Sequence, residues 1–342
     1  MRILLTGDHT YPMSAARSAG RAVTQFPSGS AQRLQDWTAK ALAELGHDVV
    51  YCIAGGIAAP PPPGVTVVEQ LDLRGIDVAH ISATTAPRFE PHFLGAGVPY
   101  ISVLHIHPDT RPFATPRLRH SLGSEAVYVS RWLAQSLGST RFVHNGVDPS
   151  EYLFSASKSD YLLFMTSMDW ADGKGIDLAI AVAQHAGMRL VVAGSARNEA
   201  AIEHATRLCE RPGVEFIGDV QGTEKRQLLA NARALLHPST YAEACPLTVL
   251  EAMVSGTPVL ATPWGGTPEL VSDDVGFLCT TEDEFVLGLR RIGEIDPHAC
   301  RARALRDFHY HRMARDYLRE YEAAIAAGVR SFTTPAAQTS IQ

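Results

Sequence analysis

Two carboxylates, Glu243 and Glu251, flank the start of a short apolar helix in the run YAEACPLTVLEAMVSGTPVLATPWGGTPELV, residues 241–271. Pro246 stands where that helix would begin and Gly256 where it would stop. An apolar strand, Pro258 to Ala261, and a Gly265-Gly266 turn follow at once. The first N–H groups of a helix have no partner within it and therefore bind anions. A carboxylate just outside such an end, with a second one turn inside, suits a ligand that carries both phosphate and hydroxyl groups, as a nucleotide sugar does. Singly, each residue has a plainer reading. Glu243 could be a solvated loop acid, and Glu251 an exposed helical acid near the positive helix end, worth about 0.3–1 kcal/mol. Together their context favours the ligand.

The elements that must position these groups alternate along the whole chain. Short apolar runs and helix-period segments succeed one another, the pattern of parallel α/β sheets. Ile3 to Thr6 reads as a buried strand, and residues 30–45 as an amphipathic helix with Leu34, Trp37, Ala41, Leu42 and Leu45 on one stripe and Gly46 as its stop. Val49 to Ile53 is the next strand, and Pro60 to Pro63 mark an extended loop. Further strands are expected at 65–68, 77–82, 99–104 and 126–129. After a polar passage, Asp148 to Asp160, a second series is expected at 161–165, 189–193, 214–217, 233–236 and 258–261. This divides the chain into residues 1–150, residues 151–307, a terminal helix within 308–330 and a polar tail, 331–342, expected to be disordered. Two open α/β domains in series place ligands at the carboxyl ends of their strands, across the cleft between them.

Composition narrows the partners. The 342 residues carry a net charge of −6 without a long basic run, which argues against nucleic acid. Residues 1–150 hold 12 Lys/Arg and 11 Asp/Glu, so the acidity belongs to the second half. Five scattered cysteines without metal-type spacing read as reduced thiols of a cytoplasmic protein. No apolar stretch approaches the roughly 20 residues that span a bilayer. No Asp-x-Asp and no His/Cys/Asp ligand cluster appears, so no metal site and no cofactor is expected. MRILLTGD could open a dinucleotide fold, but Gly7-Asp8-His9-Thr10-Tyr11 stands where G-x-G-x-x-G would be required.

The 241–271 stretch resembles the signature of family 4 glycosyltransferases, retaining enzymes of the GT-B fold. It carries their paired glutamates as Glu243 and Glu251, then Ala252, Met253, Gly256, Pro258, Val259, Ala261, Thr262, Gly265, Gly266, Pro268 and Glu269. HNGVD at 144–148 resembles the family's interdomain element, Gly173-Lys174-Gly175 its Lys-Gly turn, and GHDV at 46–49 its first-helix exit. The resemblance implies two Rossmann-like domains facing across a cleft, with the terminal helix packing back on the first. It implies that Glu251 holds the nucleotide ribose and that Glu243 contacts the donor sugar and assists at the reacting centre. The N–H groups of Leu247 and Thr248 would bind the pyrophosphate, with Lys174 adding charge against it. Gly29, opening the first amphipathic helix, stands where relatives carry a Gly-Gly loop beside the donor phosphate, though Ser-Gly before a helix is also an ordinary cap. His105, ending the strand YISVL, stands where relatives place a histidine near the donor sugar, with His107 as its competitor.

Two departures stand out. Thr166-Ser167 replaces the Gly-Arg pair that relatives carry after the second domain's first strand, and Cys245-Pro246 replaces Phe-Gly. The expected activity is transfer of a sugar, with retention and without a metal, from a nucleotide sugar (a UDP-sugar foremost) to a hydroxyl of a soluble small molecule or natural product. A catalytically weak sugar-nucleotide binder of the same fold is the alternative. Acceptors of this fold bind the first domain, where Arg17, Arg21, Arg111, Arg117 and Arg119 could meet an anionic or hydroxyl-rich group. Scattered solvated arginines are the plainer account of those five.

Overall fold

The protein is described from a computed structural model that covers residues 1–13, 30–110 and 123–328. Gly29, the five first-domain arginines named above and the 331–342 tail lie outside the described residues.

Two six-stranded parallel sheets form the frame. The first contains β1 (Arg2–Gly7), β2 (Asp48–Ile53), β3 (Val65–Val68), β4 (Val78–Ser82), β5 (Tyr100–Leu104) and β6 (Ala126–Tyr128), in the order β3-β2-β1-β4-β5-β6. The second contains β7 (Tyr161–Met165), β8 (Arg189–Ala193), β9 (Val214–Phe216), β10 (Ala234–His237), β11 (Val259–Ala261) and β12 (Gly276–Leu278). Its order, β9-β8-β7-β10-β11-β12, repeats that of the first strand for strand. Helices cover both faces, so the strands read as unbroken apolar runs and are buried residue after residue, as in β5 and β10. The order reverses between β1 and β4 and again between β7 and β10, and the loops leaving those strands open a crevice at each carboxyl edge.

The helices are α1 (Ser30–Glu44), α2 (Ala86–Ala96), α3 (Arg131–Ser136), α4 (Ile176–His185), α5 (Glu199–Cys209), α6 (Gly222–Asn231), α7 (Leu247–Val254), α8 (Thr267–Leu270), α9 (Glu282–Arg291), α10 (Pro297–Asp307) and α11 (Tyr310–Ala327). Strand β12 and helices α2, α3, α8, α9 and α10 add to the elements read from the sequence.

Helix α11 returns to the first sheet, against α1, β4 and β5. Its amphipathic face buries Tyr310, Met313, Ala314, Tyr317 and Tyr321. Tyr310 Oη and His311 Nε2 each meet Glu44 Oε2 at 2.6 Å, at the end of α1. Tyr321 Oη lies 2.7 Å from His80 Nδ1, deep under β4. The chain therefore crosses between the halves twice, and the crossings run side by side. Val147 N donates to Phe308 O at 2.8 Å and Tyr310 N to Val147 O at 3.1 Å. Gly146 is required there, because a side chain would run into the Tyr310 backbone. One cluster of buried apolar side chains continues from the first sheet through Val147 and Tyr152 into the second.

Candidate active site

A cavity of about 810 Å³ lies between the two carboxyl edges. Helix α7 points its first turn into it. Six of its eight residues are apolar and buried, so the run LTVLEAMV has no solvated face except where it meets the cavity. Pro246 is the N-cap, with φ −66° and no N–H of its own, which leaves Leu247 and Thr248 to present the first free N–H groups. Gly256, at φ +77°, turns the chain out of the helix.

Glu251 is 3% exposed and is held from three sides. Its Oε1 accepts from Tyr152 Oη and from Lys225 Nζ, both at 2.7 Å, with Arg33 Nη1 at 3.8 Å. Burial alone would raise this carboxyl. The Lys225 and Arg33 charges, with the hydrogen bonds from Lys225 and Tyr152, instead hold it below the ordinary carboxylate range.

Glu243 is placed by two glycine turns. Gly266 N donates to Glu243 O at 2.7 Å, and a side chain at Gly265 or Gly266 would run into the carbonyls of Glu243 or Ala244. The Gly173-Lys174-Gly175 turn packs on the same loop from the other side. Thr240 N donates to Gly173 O at 2.9 Å, and a side chain at Gly173 would fill the place of the Tyr241 ring. Lys174 Nζ thereby reaches Glu243 Oε2 at 2.6 Å, while His237 Nε2, from the end of β10, approaches Oε1 at 2.9 Å. Burial works to raise the Glu243 carboxyl, but Lys174 and then His237 outweigh it and hold the group well below its ordinary value. Glu243 is an ionised carboxylate throughout the neutral range.

The opposite wall comes from the first half. His105 follows β5 and lines the cavity. Burial pushes its imidazole down to about 4, so it is neutral near pH 7 and offers one donor and one acceptor. His107 is absent from this wall and instead lies near Trp132, ring centroids 5.9 Å apart. Asn145, of the HNGVD element, lines the cavity and donates to Cys245 O at 2.8 Å, which joins the crossing to the α7 loop. Ser30, the first residue of α1, also lines it.

Of the residues singled out from the sequence, Glu243, Glu251, Lys174, Leu247, Thr248 and His105 thus share one cavity. Several lining groups had no sequence signal strong enough to name them. Arg33 and Lys225 come from α1 and α6, and Arg197 and Trp170 stand together at the wall with the guanidinium 5.2 Å from the ring centroid. A positive side chain one turn inside a helix that follows a strand end was the available cue for Arg33 and Lys225. Ser167 stays at the position of the missing arginine and its Oγ donates to Asp169 Oδ2 at 3.0 Å. The positive charge facing the cavity therefore comes from other elements. Among the described residues, no group of three or more His, Cys, Asp or Glu side chains could hold a metal ion, and no helix is long and apolar enough to cross a membrane.

Residues 151–304 match the family described as Glycosyl transferases group 1. Among curated relatives, an uncharacterized glycosyltransferase of Methanocaldococcus jannaschii is 28% identical over 40% of this chain and 39% of its own length. The glycogen synthase of Mycobacterium tuberculosis is 27% identical over 57% of this chain and 51% of its own. The chain thus spans about half or less of these two proteins. The phosphatidyl-myo-inositol mannosyltransferase of Mycolicibacterium smegmatis is 24% identical over 85% of this chain and 89% of its own. Among solved structures, AviGT4, a glycosyltransferase involved in avilamycin A biosynthesis, aligns with a TM-score of 0.74 and 27% identity over 95% of this chain and 98% of its own. Anabaena Alr3699/HepE in complex with UDP aligns with a TM-score of 0.70 and 18% identity over 94% and 100%. The second half thus matches glycosyl transferases group 1, and nearly the whole length follows solved glycosyltransferases of the GT-B fold.

Proposed function

We propose that the protein transfers a sugar, with retention at the anomeric carbon, from a nucleotide sugar to a hydroxyl of a soluble acceptor. The observation that carries this reading is one cavity in which an ionised Glu243 paired to Lys174 faces a helix N-terminus and the buried Glu251. Glu251 accepts the ribose hydroxyls. The Leu247 and Thr248 N–H groups and Lys174 meet the diphosphate, whose negative charge grows as the bond from phosphate oxygen to anomeric carbon breaks. Glu243 lies against the sugar, where positive oxocarbenium-like charge develops, and neutral His105 hydrogen-bonds it from the facing wall. The acceptor oxygen attacks from the face that the diphosphate leaves, and a departing phosphate oxygen takes the acceptor proton. No protein base is needed. Because Lys174, Arg33, Lys225 and the helix end supply positive charge, the reaction is read as metal-independent, and chelator should leave it unchanged.

A UDP-sugar is the proposed donor, supported by solved relatives of this fold that hold UDP or UDP-glucose. A small-molecule or natural-product acceptor is supported by AviGT4's involvement in avilamycin A biosynthesis. The cations of α1 are also turned inward: Arg33 to Glu151 at 2.7 Å and Lys40 to Asp148 at 2.6 Å. That helix therefore offers no basic stripe to a lipid surface. The setting proposed is the cytoplasm.

Thermal shift with UDP, GDP, ADP and dTDP tests the donor site. A ligand at about 100 times its dissociation constant adds about 2.7 kcal/mol of stability. No shift with any of them would overturn the reading, and a product of inverted configuration by NMR would overturn retention. Ser167 at the arginine position favours one rival, a sugar-nucleotide binder without turnover. Wild type that binds UDP but neither transfers nor hydrolyses any donor would establish that rival.

A further inference from the structure

We propose that His237 and Glu243 together read one hydroxyl of the transferred sugar, which makes His237 a residue that determines donor specificity. The inference rests on the donor-site reading above and adds to it a residue that this reading does not use. His237 is the last residue of β10, 8% exposed, and lines the cavity. Its Nε2 lies 2.9 Å from Glu243 Oε1, an ion-pair contact without hydrogen-bond geometry. Both atoms are buried without a hydrogen-bond partner. Native proteins leave few such atoms, and a pair of them on one cavity wall marks a place that a polar group fills.

The chemistry of that group follows from the two atoms. Glu243 is ionised, so Oε1 can only accept. An imidazole nitrogen facing a carboxylate oxygen carries the proton, since its lone pair there would be repelled, so Nε2 donates. One group that accepts from Nε2 and donates to Oε1 completes both, and a hydroxyl does this with a single oxygen. A ring oxygen or carbonyl accepts but cannot donate, an acetamido N–H donates but cannot accept, and a deoxy carbon does neither. Lys174 occupies the other carboxylate oxygen at 2.6 Å, so Oε1 is the one turned to His237. The loop carrying Glu243 is held by Gly266 N, and His237 O accepts from Thr262 N at 3.2 Å. These backbone bonds fix the two stretches of chain that carry the side chains.

The test takes the nucleotide sugar that wild type uses best and its 2-, 3-, 4- and 6-deoxy analogues. They are assayed for kcat/KM with wild type, His237→Leu and His237→Gln, each shown to be folded by its UDP thermal shift. A site built on hydrogen bonds rejects an analogue lacking the hydroxyl by about 10⁴-fold. Wild type should reject one deoxy position by at least about 10³-fold. His237→Leu should compress that ratio to about 10-fold, and His237→Gln, whose amide N–H replaces Nε2–H, should restore most of it. Unchanged deoxy discrimination in His237→Leu, with UDP binding intact, would overturn the shared hydroxyl alone. A wild type that binds no nucleotide would overturn the donor-site reading and this inference with it.

Discussion

Glu269 carries the tie between the two halves whose removal can be worked out most fully. It sits in α8, directly after the Gly265-Gly266 turn that holds Glu243, and its side chain crosses to the first half. One oxygen accepts from Trp132 N at 2.7 Å, the other from Arg131 N at 3.0 Å and from His144 Nε2 at 2.6 Å. It thus supplies acceptors to the first turn of α3 from outside that helix, beside Ser130 as its own cap. Replacing Glu269 by Ala removes all three contacts. Loss of a capping acceptor costs about 1 kcal/mol. Loss of a charge-assisted contact between two side chains that are each under one-fifth exposed adds about 1.5–2 kcal/mol. The expected total is about 3 kcal/mol, reduced where water reaches the exposed Arg131 N–H. That corresponds to a fall of roughly 5 °C in Tm. His144→Ala alone should cost less, and the double variant should cost about 1–2 kcal/mol less than the sum of the singles, because the two residues share one contact. The pH dependence has a definite sign. Burial would raise the Glu269 carboxyl, but the His144 contact and then the two backbone N–H groups lower it. Its contribution is therefore complete above the ordinary carboxylate range and is lost as pH falls through the lower folded value. Thermal unfolding of the four proteins from about pH 8 down to the lowest pH at which wild type stays folded measures each of these quantities. A Glu269→Ala protein within 1 kcal/mol of wild type, or strict additivity with His144→Ala, would refute the tie.

Other perturbations follow from the same geometry. Gly265→Ala should destabilise by more than about 2 kcal/mol and lower kcat, since φ is +67° and the new methyl meets the Glu243 carbonyl. Gly46→Ala, at φ +87° with nothing within 4 Å, should cost only about 1 kcal/mol; equal losses at the two sites would contradict the contact. Lys174→Gln should let the Glu243 carboxyl rise toward its ordinary value, moving the acid limb of the kcat/KM profile to higher pH and lowering turnover about 100-fold. An unmoved acid limb would mean that Lys174 does not set the ionisation of Glu243. Burial, and then the neighbouring His105, push His80 down to about 3, against about 6.5 in the unfolded chain. The unfolded chain takes up a proton that the folded one refuses, so stability falls as pH drops from about 6.5 toward 3. The loss at pH 5 from His80 alone is about 2 kcal/mol. Proton uptake on unfolding, followed by calorimetry in buffers of different ionisation enthalpy, checks this, and zero uptake at pH 5 would exclude it.

The two-sheet frame was legible because a parallel sheet covered on both faces needs strands that are apolar at every position. Runs such as ILLT and YISVL cannot satisfy that need in any other element of their length. The short edge strand β12, Gly276–Leu278, was not legible. Its pattern runs from a buried glycine to an exposed leucine, and it exists because β11 offers a free edge: Cys279 N donates to Ala261 O at 2.8 Å. The return of α11 to the first sheet depends on Tyr321 finding His80, 241 positions away, and no local period reports such a pairing.

The site divides in the same way. Backbone requirements leave fixed marks: Pro246 before α7, and Gly173, Gly175, Gly265 and Gly266 where another backbone or ring occupies the space of a side chain. These marks made the Glu243 loop readable at its correct spacing. Charge leaves no such mark, because a guanidinium on a long side chain can reach one place from several elements. An arginine missing at Ser167 therefore says little about the charge of the cavity. Arg33 enters it from α1, anchored by Glu151 at 2.7 Å and lying 3.8 Å from Glu251; Lys225 enters from α6 and Arg197 from the loop before α5. Arg33 belongs to the opposite half, so the positive field over the donor side is complete only when the halves are together. Separating them would leave Glu251 with Lys225 alone as its cation. On the donor-site reading proposed above, the relocated charge would tie nucleotide binding to the contact between the two halves, a coupling that an arginine at position 167, within the second half itself, would not supply.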